Sequence, residues 1–317
     1  MNRADHTRTQ MKSPSINVEK LTLLQTISYQ LDPPFTMENP YDEAVPNSLR
    51  ALAISPDGQF LAINEKANGT KLWDMKAGKV DGDIGGIQDL VPPLLFSSDG
   101  QTLLGGKWDK NQRKSTIQTW NFRTGRLVRT SITFDLELVV ISPDEKMVVG
   151  QMVVGQRGID PFDPFGKKDE LIALNLSTGE QLSSFELKNY SHRWHVGPLA
   201  VSSDGKVIVG TAAVQKESGD DVIFPTALCL WDGSTLRLLH MMSVMPAASA
   251  IAVSPDNQII ASGCYNGAIK LWHLSTAQHL HAFVGHEKDI TALTFSADGR
   301  QLVSASLDGT IKFWEIK

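Results

Sequence analysis

The sequence predicts an all-β protein, a β-propeller of six four-stranded blades closed into a ring. Three observations predict it. A strand-like apolar run followed by Ser-x-Asp and a turn residue recurs six times, at intervals of 42, 45, 60, 52 and 42 residues, and a period near 40 marks a radially repeated unit. Each recurrence leads into a second apolar run and then a closing run that carries Trp or Leu beside a polar residue. Helical periodicity of useful length is absent, while Gly, Asp, Asn and Ser punctuate the apolar runs at hairpin spacing.

Taken in order, residues 1–18 are polar and are expected to be a flexible tail ahead of a single propeller domain over 19–317. Leu21 to Tyr29 is strand-like but precedes the first complete unit. Asp32-Pro33-Pro34-Phe35 to Pro46 reads as an extended cover or a partner-facing arm. The six anchors are Ser55-Pro56-Asp57, Ser97-Ser98-Asp99, Ser142-Pro143-Asp144, Ser202-Ser203-Asp204, Ser254-Pro255-Asp256 and Ser296-Ala297-Asp298. The closing runs are Leu72-Trp73-Asp74, Thr119-Trp120-Asn121, Ala173-Leu174-Asn175, Leu230-Trp231-Asp232, Leu271-Trp272-His273 and Phe313-Trp314-Glu315. Asp298-Gly299, Asp308-Gly309, Asn68-Gly69 and Asn266-Gly267 supply the positive φ that tight hairpins need. The last unit stops at Lys317, straight after its third strand. Leu21 to Tyr29 is therefore expected to pair beside Phe313-Trp314 and close the ring without an exposed edge. Even the longest interval, 60, is short of two units. Six blades follow, with seven as the alternative if residues 32–50 hold cryptic strands.

Gly285-His286 followed by Leu307-Asp308-Gly309-Thr310-Ile311-Lys312-Phe313-Trp314-Glu315 resembles a WD40 repeat, and Asn266-Gly267-Ala268-Ile269-Lys270-Leu271-Trp272-His273 is nearly as close. The resemblance extends over residues 20–317. It is clearest at 285–317, 250–273 and 50–74, and degenerate in the middle blades. It implies a buried hydrogen-bonded tetrad of His286, Ser306 (or Ser304), Asp308 and Trp314 in the last blade, structural rather than catalytic, because an unpaired buried imidazole, carboxylate or indole N–H is costly. It also implies a non-catalytic scaffold or adaptor that binds protein partners, an inference at the level of the fold.

Composition narrows the function classes. At 41% hydrophobic and 21% charged residues the chain is neither disordered nor a disulfide scaffold. No apolar run reaches 18 residues and no apolar h-region follows Asn2-Arg3, so neither a membrane span nor secretion is expected. Cys229 and Cys264 sit in strand-like runs and read as buried reduced thiols, consistent with a cytoplasmic protein. A net charge of -5 argues against nucleic acid as a partner.

The surplus over a 42-residue unit falls in blades three and four, chiefly in their second-to-third connections, Gly155 to Asp169 and Gln215 to Pro225. Blade two has a shorter version from Gly106 to Ser115, and the link from Lys188 to Gly197 opens on the same face. Long loops on a rigid scaffold carry function, and Tyr, Trp and Arg dominate binding hot spots. Trp108, Phe162, Phe165, Tyr190, Arg193, Trp194 and Phe224 are therefore the candidate partner-binding residues, unless they only pin their own loops.

No phosphate loop, dinucleotide fingerprint, nucleophile elbow or His-Glu-x-x-His occurs, and no cofactor or metal is expected. His192 with His195, and His279 with His281, lack the third and fourth ligands that zinc requires. The alternative function is a propeller enzyme, a metal-assisted hydrolase or lactonase, with Asp89, Asp135, Glu137 and Asp289 at the channel mouth. Lys107, Lys110, Arg113 and Lys114 form a local basic cluster, read as a solvated face.

Overall fold

The computed structural model describes residues 21–28, 49–65, 69–84, 90–109, 114–154, 168–186, 188–189, 192–216 and 226–317. Their strands form six antiparallel sheets, one per blade. Blade one holds β2 (Leu49–Ile54), β3 (Phe60–Glu65), β4 (Gly69–Asp74) and β5 (Lys79–Asp83). Blade two holds β6 (Leu90–Phe96), β7 (Thr102–Asp109), β8 (Lys114–Asn121) and β9 (Arg126–Phe134). Blade three holds β10 (Glu137–Ile141), β11 (Met147–Val154), β12 (Lys168–Asn175) and β13 (Gln181–Glu186). Blade four adds a short β14 (Lys188–Asn189) to β15 (His192–Val201), β16 (Val207–Lys216), β17 (Thr226–Asp232) and β18 (Leu238–Ser243). Blade five holds β19 (Ala248–Val253), β20 (Ile259–Cys264), β21 (Ala268–His273) and β22 (His279–Val284). Blade six holds β23 (Ile290–Phe295), β24 (Gln301–Ser306) and β25 (Thr310–Ile316), completed by β1 (Leu21–Ser28).

The ring closes as the sequence predicts. β1 lies antiparallel on β25, with Leu23 opposite Trp314 and Ile27 opposite Ile311. The inner strands β2, β6, β10, β15, β19 and β23 touch one another in that order and back to β2. Six sheets leave six blades rather than seven; residues 32–48 lie outside the described residues. The core is correspondingly not one mass but six seams between neighbouring blades. Phe60, Leu103, Trp120 and Phe122, for example, close the seam between blades one and two. Middle strands such as β3 and β20 are buried throughout, whereas outer strands such as β13 are mostly exposed.

The recurrent Ser-x-Asp is a hydrogen-bonded turn. In all six blades the serine hydroxyl donates to the Asp carboxylate two residues on, at 2.5–2.8 Å. The same hydroxyl accepts the N–H five residues on, from Phe60, Thr102, Met147, Val207, Ile259 and Gln301. That arrangement satisfies the buried serine and fixes where the second strand begins. The serine hydroxyl, followed by the Gln59, Gln101 and Arg300 amides, holds the Asp57, Asp99 and Asp298 carboxyls below their ordinary range.

Each turn passes through the left-handed region at its fourth place. Glycine fills it at Gly58, Gly100, Gly205 and Gly299, but Glu145 (φ 58°) and Asn257 (φ 58°) fill it in blades three and five. Both exceptions reach back to the preceding blade. Asn257 Oδ1 accepts the Ser203 N–H at 2.7 Å, and the Glu145 carboxylate accepts the Ser98 N–H. These two side chains latch neighbouring turns together.

Two rings of bulges also recur. One interrupts every inner strand, as between Val91 and Leu94 or Val196 and Leu199, and there Pro92, Pro93 and Pro198 are accommodated without loss of a ladder bond. The other interrupts every outer strand near the closing run, as at Val128 and Leu182.

Candidate interaction surface

The hydrogen bonds that cross each blade sort its turns onto two faces. Met75 donates to Gln59, Leu176 to Lys146 and Leu274 to Gln258, so the Ser-x-Asp turns share a face with the third-to-fourth turns. Leu307 donates to Asp289, and Tyr265 to Ala247, placing second-to-third hairpins beside the links between blades on the opposite face.

That second face is uneven. The second and third strands of blades one and five are six residues each. In blade two both are eight, in blade three both are eight, and in blade four β15 and β16 are ten. Four further residues at about 3.3 Å each raise the arm of blade four by about 13 Å. Pairing persists to the tips, with Asp109 opposite Lys114, Val154 opposite Lys168 and His192 opposite Lys216.

This changes two readings of the sequence. Gly106 to Ser115 is not a basic loop but a paired arm, in which only residues 110–113 lie outside the described residues. The link Lys188 to Gly197 is largely strand, with Lys188 opposite Arg193 and Trp194 opposite Val214. The pairing partner of β15 is the next strand, β16, across the Ser202-Ser203-Asp204 turn, and this pairing is not announced by the residue types of the link alone.

Of the candidate binding residues, the backbones of Trp108, Arg193 and Trp194 stand on these raised arms, opposite Ser115, Gln215 and Val214. Their side chains, together with Phe162, Phe165, Tyr190 and Phe224 entirely, lie outside the described residues, as do Lys110, Arg113 and Asp89. Asp135 is exposed and pairs with Lys114 at 3.5 Å. Burial pushes the Asp289 carboxyl above its ordinary value. His279 meets the Trp272 ring edge-on at 4.9 Å and His281 stacks on Phe283 at 6.1 Å. Among the described residues no group of three or more His, Cys, Asp and Glu is placed to hold a metal ion. No helix there is long and apolar enough to cross a membrane.

The tetrad of blade six is assembled with one change of residue. His286 Nδ1 lies 2.9 Å from Asp308 Oδ2, and its Nε2 lies 2.7 Å from Ser304 Oγ. Trp314 Nε1 donates to the same Ser304 hydroxyl at 2.8 Å. Ser306 instead donates to the Lys288 carbonyl and accepts the Asp308 N–H. Strand alternation gives the reason. Ser304 and Ser306 share a face of β24, but Ser304 stands two places from Leu302, which lies opposite Trp314, and Ser306 is one turn of the pleat too far. The pattern of donors fixes the tautomer: the indole gives to Ser304, Ser304 gives to Nε2, and Nδ1–H gives to Asp308. Burial lowers the basicity of His286 despite the Asp308 charge. Thr310 is a further partner, with its hydroxyl 3.0 Å from Nδ1.

The place taken by Ser304 can be followed round the ring by register. It is Ser262 in blade five, where Trp272 Nε1 donates to it at 2.9 Å. It becomes Ile63, Gly105, Gly150 and Gly210 in blades one to four. In blade four Trp231 is fully buried and its indole N–H has no hydrogen-bond partner among the described residues. A Cβ at Gly210 would lie 2.5 Å from a Leu199 methyl and 3.1 Å from the Trp231 ring.

Comparison with known proteins follows this gradient. Residues 243–273 and 277–315, the last two units, match the WD40 family, described as WD domain, G-beta repeat. The chain is 34% identical over 112 residues to periodic tryptophan protein 2 of Arabidopsis thaliana, 34% of this chain and 12% of that protein. It is 32% identical over 93 residues to protein groucho of Drosophila melanogaster, 28% of this chain and 13% of that one. With WD repeat-containing protein 36 of Homo sapiens it shares 23% identity over 281 residues, 85% of this chain and 29% of the human protein. The chain thus spans less than a third of the length of each of these relatives.

Proposed function

From a six-bladed propeller whose last two units are WD40 repeats, we propose a non-catalytic protein-interaction scaffold or adaptor that holds its partner on the raised arms of blades two to four. The observation that carries this reading is the lengthening of paired strands on one face of three consecutive blades. Strand pairing makes those arms stiff, so side chains at their tips are presented without a large ordering cost on binding. Trp108, Tyr190, Arg193, Trp194, Phe162, Phe165 and Phe224 supply the aromatic and guanidinium groups that such a contact uses. The likeness to a WD repeat-containing protein is consistent with a role in assembly. Two unpaired buried thiols, with that of Cys229 pushed up to about 12 by burial, suit a reducing compartment such as the cytoplasm.

The test uses the full chain in affinity capture from its own cells. Proteins retained by the wild type are expected to be lost from Tyr190→Ala/Trp194→Ala and from a variant with residues 155–169 shortened, both with unchanged melting temperature. Retention of the same partners by both folded variants sinks the proposal.

A further inference from the structure

Charge is unevenly distributed around the ring. Residues 90–136, blade two and its turns, hold seven Lys and Arg against three Asp, and residues 137–186, blade three, hold four against nine Asp and Glu. Adjacent blades therefore carry net charges of +4 and -5 within a chain whose total is -5.

The outer strands bring this contrast to the rim. On β9, Arg126 and Arg129 are exposed and enclose Leu127 and Val128, which are 46% and 60% exposed. On blade three, Glu180 and Glu186 are exposed and enclose Leu182, 51% exposed. Each rim is thus an apolar centre between like charges, and the two rims have opposite sign. Val128 and Leu182 are the bulged residues of their strands. A bulge twists an edge away from ladder extension, so these rims are shaped for contact through side chains.

Two complementary patches side by side on one chain are complementary to a second copy turned by a two-fold axis. With the axis lying along the rim at the seam of blades two and three, parallel to the outer strands, β9 of each copy meets β13 of the other. That rotation keeps strand direction, bringing the Arg126 end of one strand beside the Glu180 end of its counterpart and the bulged Val128 beside the bulged Leu182. We propose that the chain self-associates as a two-fold dimer through this rim, with Arg126 and Arg129 of each copy facing Glu180 and Glu186 of the other around Leu127, Val128 and Leu182. A foreign partner would need only one of the two charges. The presence of both, on neighbouring blades and around matching apolar centres, selects a second copy. The contact lies on the rim, leaves the raised face clear and does not rest on the scaffold function. Because the ion pairs are exposed, it is weak and sensitive to salt.

Sedimentation of the full chain over a range of concentrations tests this. A monomer–dimer equilibrium is expected in low salt, shifting to monomer in high salt. Arg126→Glu/Arg129→Glu and Glu180→Lys/Glu186→Lys should each weaken association by about tenfold or more, and the four changes combined should restore it. Circular dichroism checks that each variant is folded, and Arg126→Gln/Arg129→Gln serves if a reversal is not. Monomer at every concentration in low salt overturns the proposal. So does a dimer indifferent to either reversal, or a folded fourfold variant that stays monomeric. Binding of a polyglutamate peptide to a wild-type chain that never dimerises overturns it in favour of an acidic partner.

Discussion

At Ser304 a single hydroxyl serves two buried partners, accepting from the Trp314 indole and donating to His286. Ser304→Ala leaves both unsatisfied and should cost about 2–4 kcal/mol, whereas Ser306→Ala, whose bonds are to the Lys288 carbonyl and the Asp308 N–H, should cost about 1 kcal/mol. Urea unfolding of the two variants checks the order. The same group sets a pH dependence. His286 has a folded pKa below its ordinary 6.5, chiefly through burial. The unfolded chain then takes up the proton first on acidification, so this contribution is complete above about 6.5 and is lost as the pH falls from there toward the folded value. His286→Gln should flatten that part of the stability profile. The tetrad is legible in the sequence down to the choice between two serines. What decides the choice is the register of β24 against β25, a relation between strands that no single strand encodes.

Among the elements, the Ser-x-Asp turn is legible because its chemistry closes within six residues: hydroxyl, carboxylate and two amides all belong to one short segment. The raised arms are less legible because their length is set by pairing between strands rather than by the residue types of one segment, as when Lys188 to Gly197 holds β14 and half of β15, paired with each other and with β16. The latches between turns leave a faint mark, a residue other than glycine in a left-handed place. Asn257→Ala keeps the strained φ and removes the acceptor for Ser203, so a loss of about 1–2 kcal/mol is expected in thermal or urea unfolding. Asn257→Gly loses the same bond but relaxes the backbone, and its loss should be visibly smaller. Equal losses would mean that the latch, rather than the conformation, carries the whole effect. The serine place, running from Ile63 through three glycines to Ser262 and Ser304, is filled by serine only in the two units that match the family. The fold persists without it because the seams are filled by apolar side chains whichever residue stands there.

For the molecule as a whole, the closing pair has a consequence in time. β1 leaves the ribosome before any blade of the ring exists, and β25, the strand it must join, is made after every other strand of the ring. Until then Leu23, Ile27 and their neighbours have no partner, and the whole ring waits on one contact between segments nearly the full chain apart. Such distant pairings are slow to form, and chains that await them expose apolar edges to their neighbours. A permuted chain that begins at Leu49 and carries residues 19–28 behind Lys317 on a short flexible linker turns this contact into a local hairpin. It should reach the same native state several times faster in stopped-flow refolding, with less aggregation. An unchanged rate would place the slow step elsewhere in the ring. In the natural order, β1 must remain available through the synthesis of every other strand, which makes the interval before closure the period when this protein is most exposed to capture by chaperones or by other unfinished copies of itself.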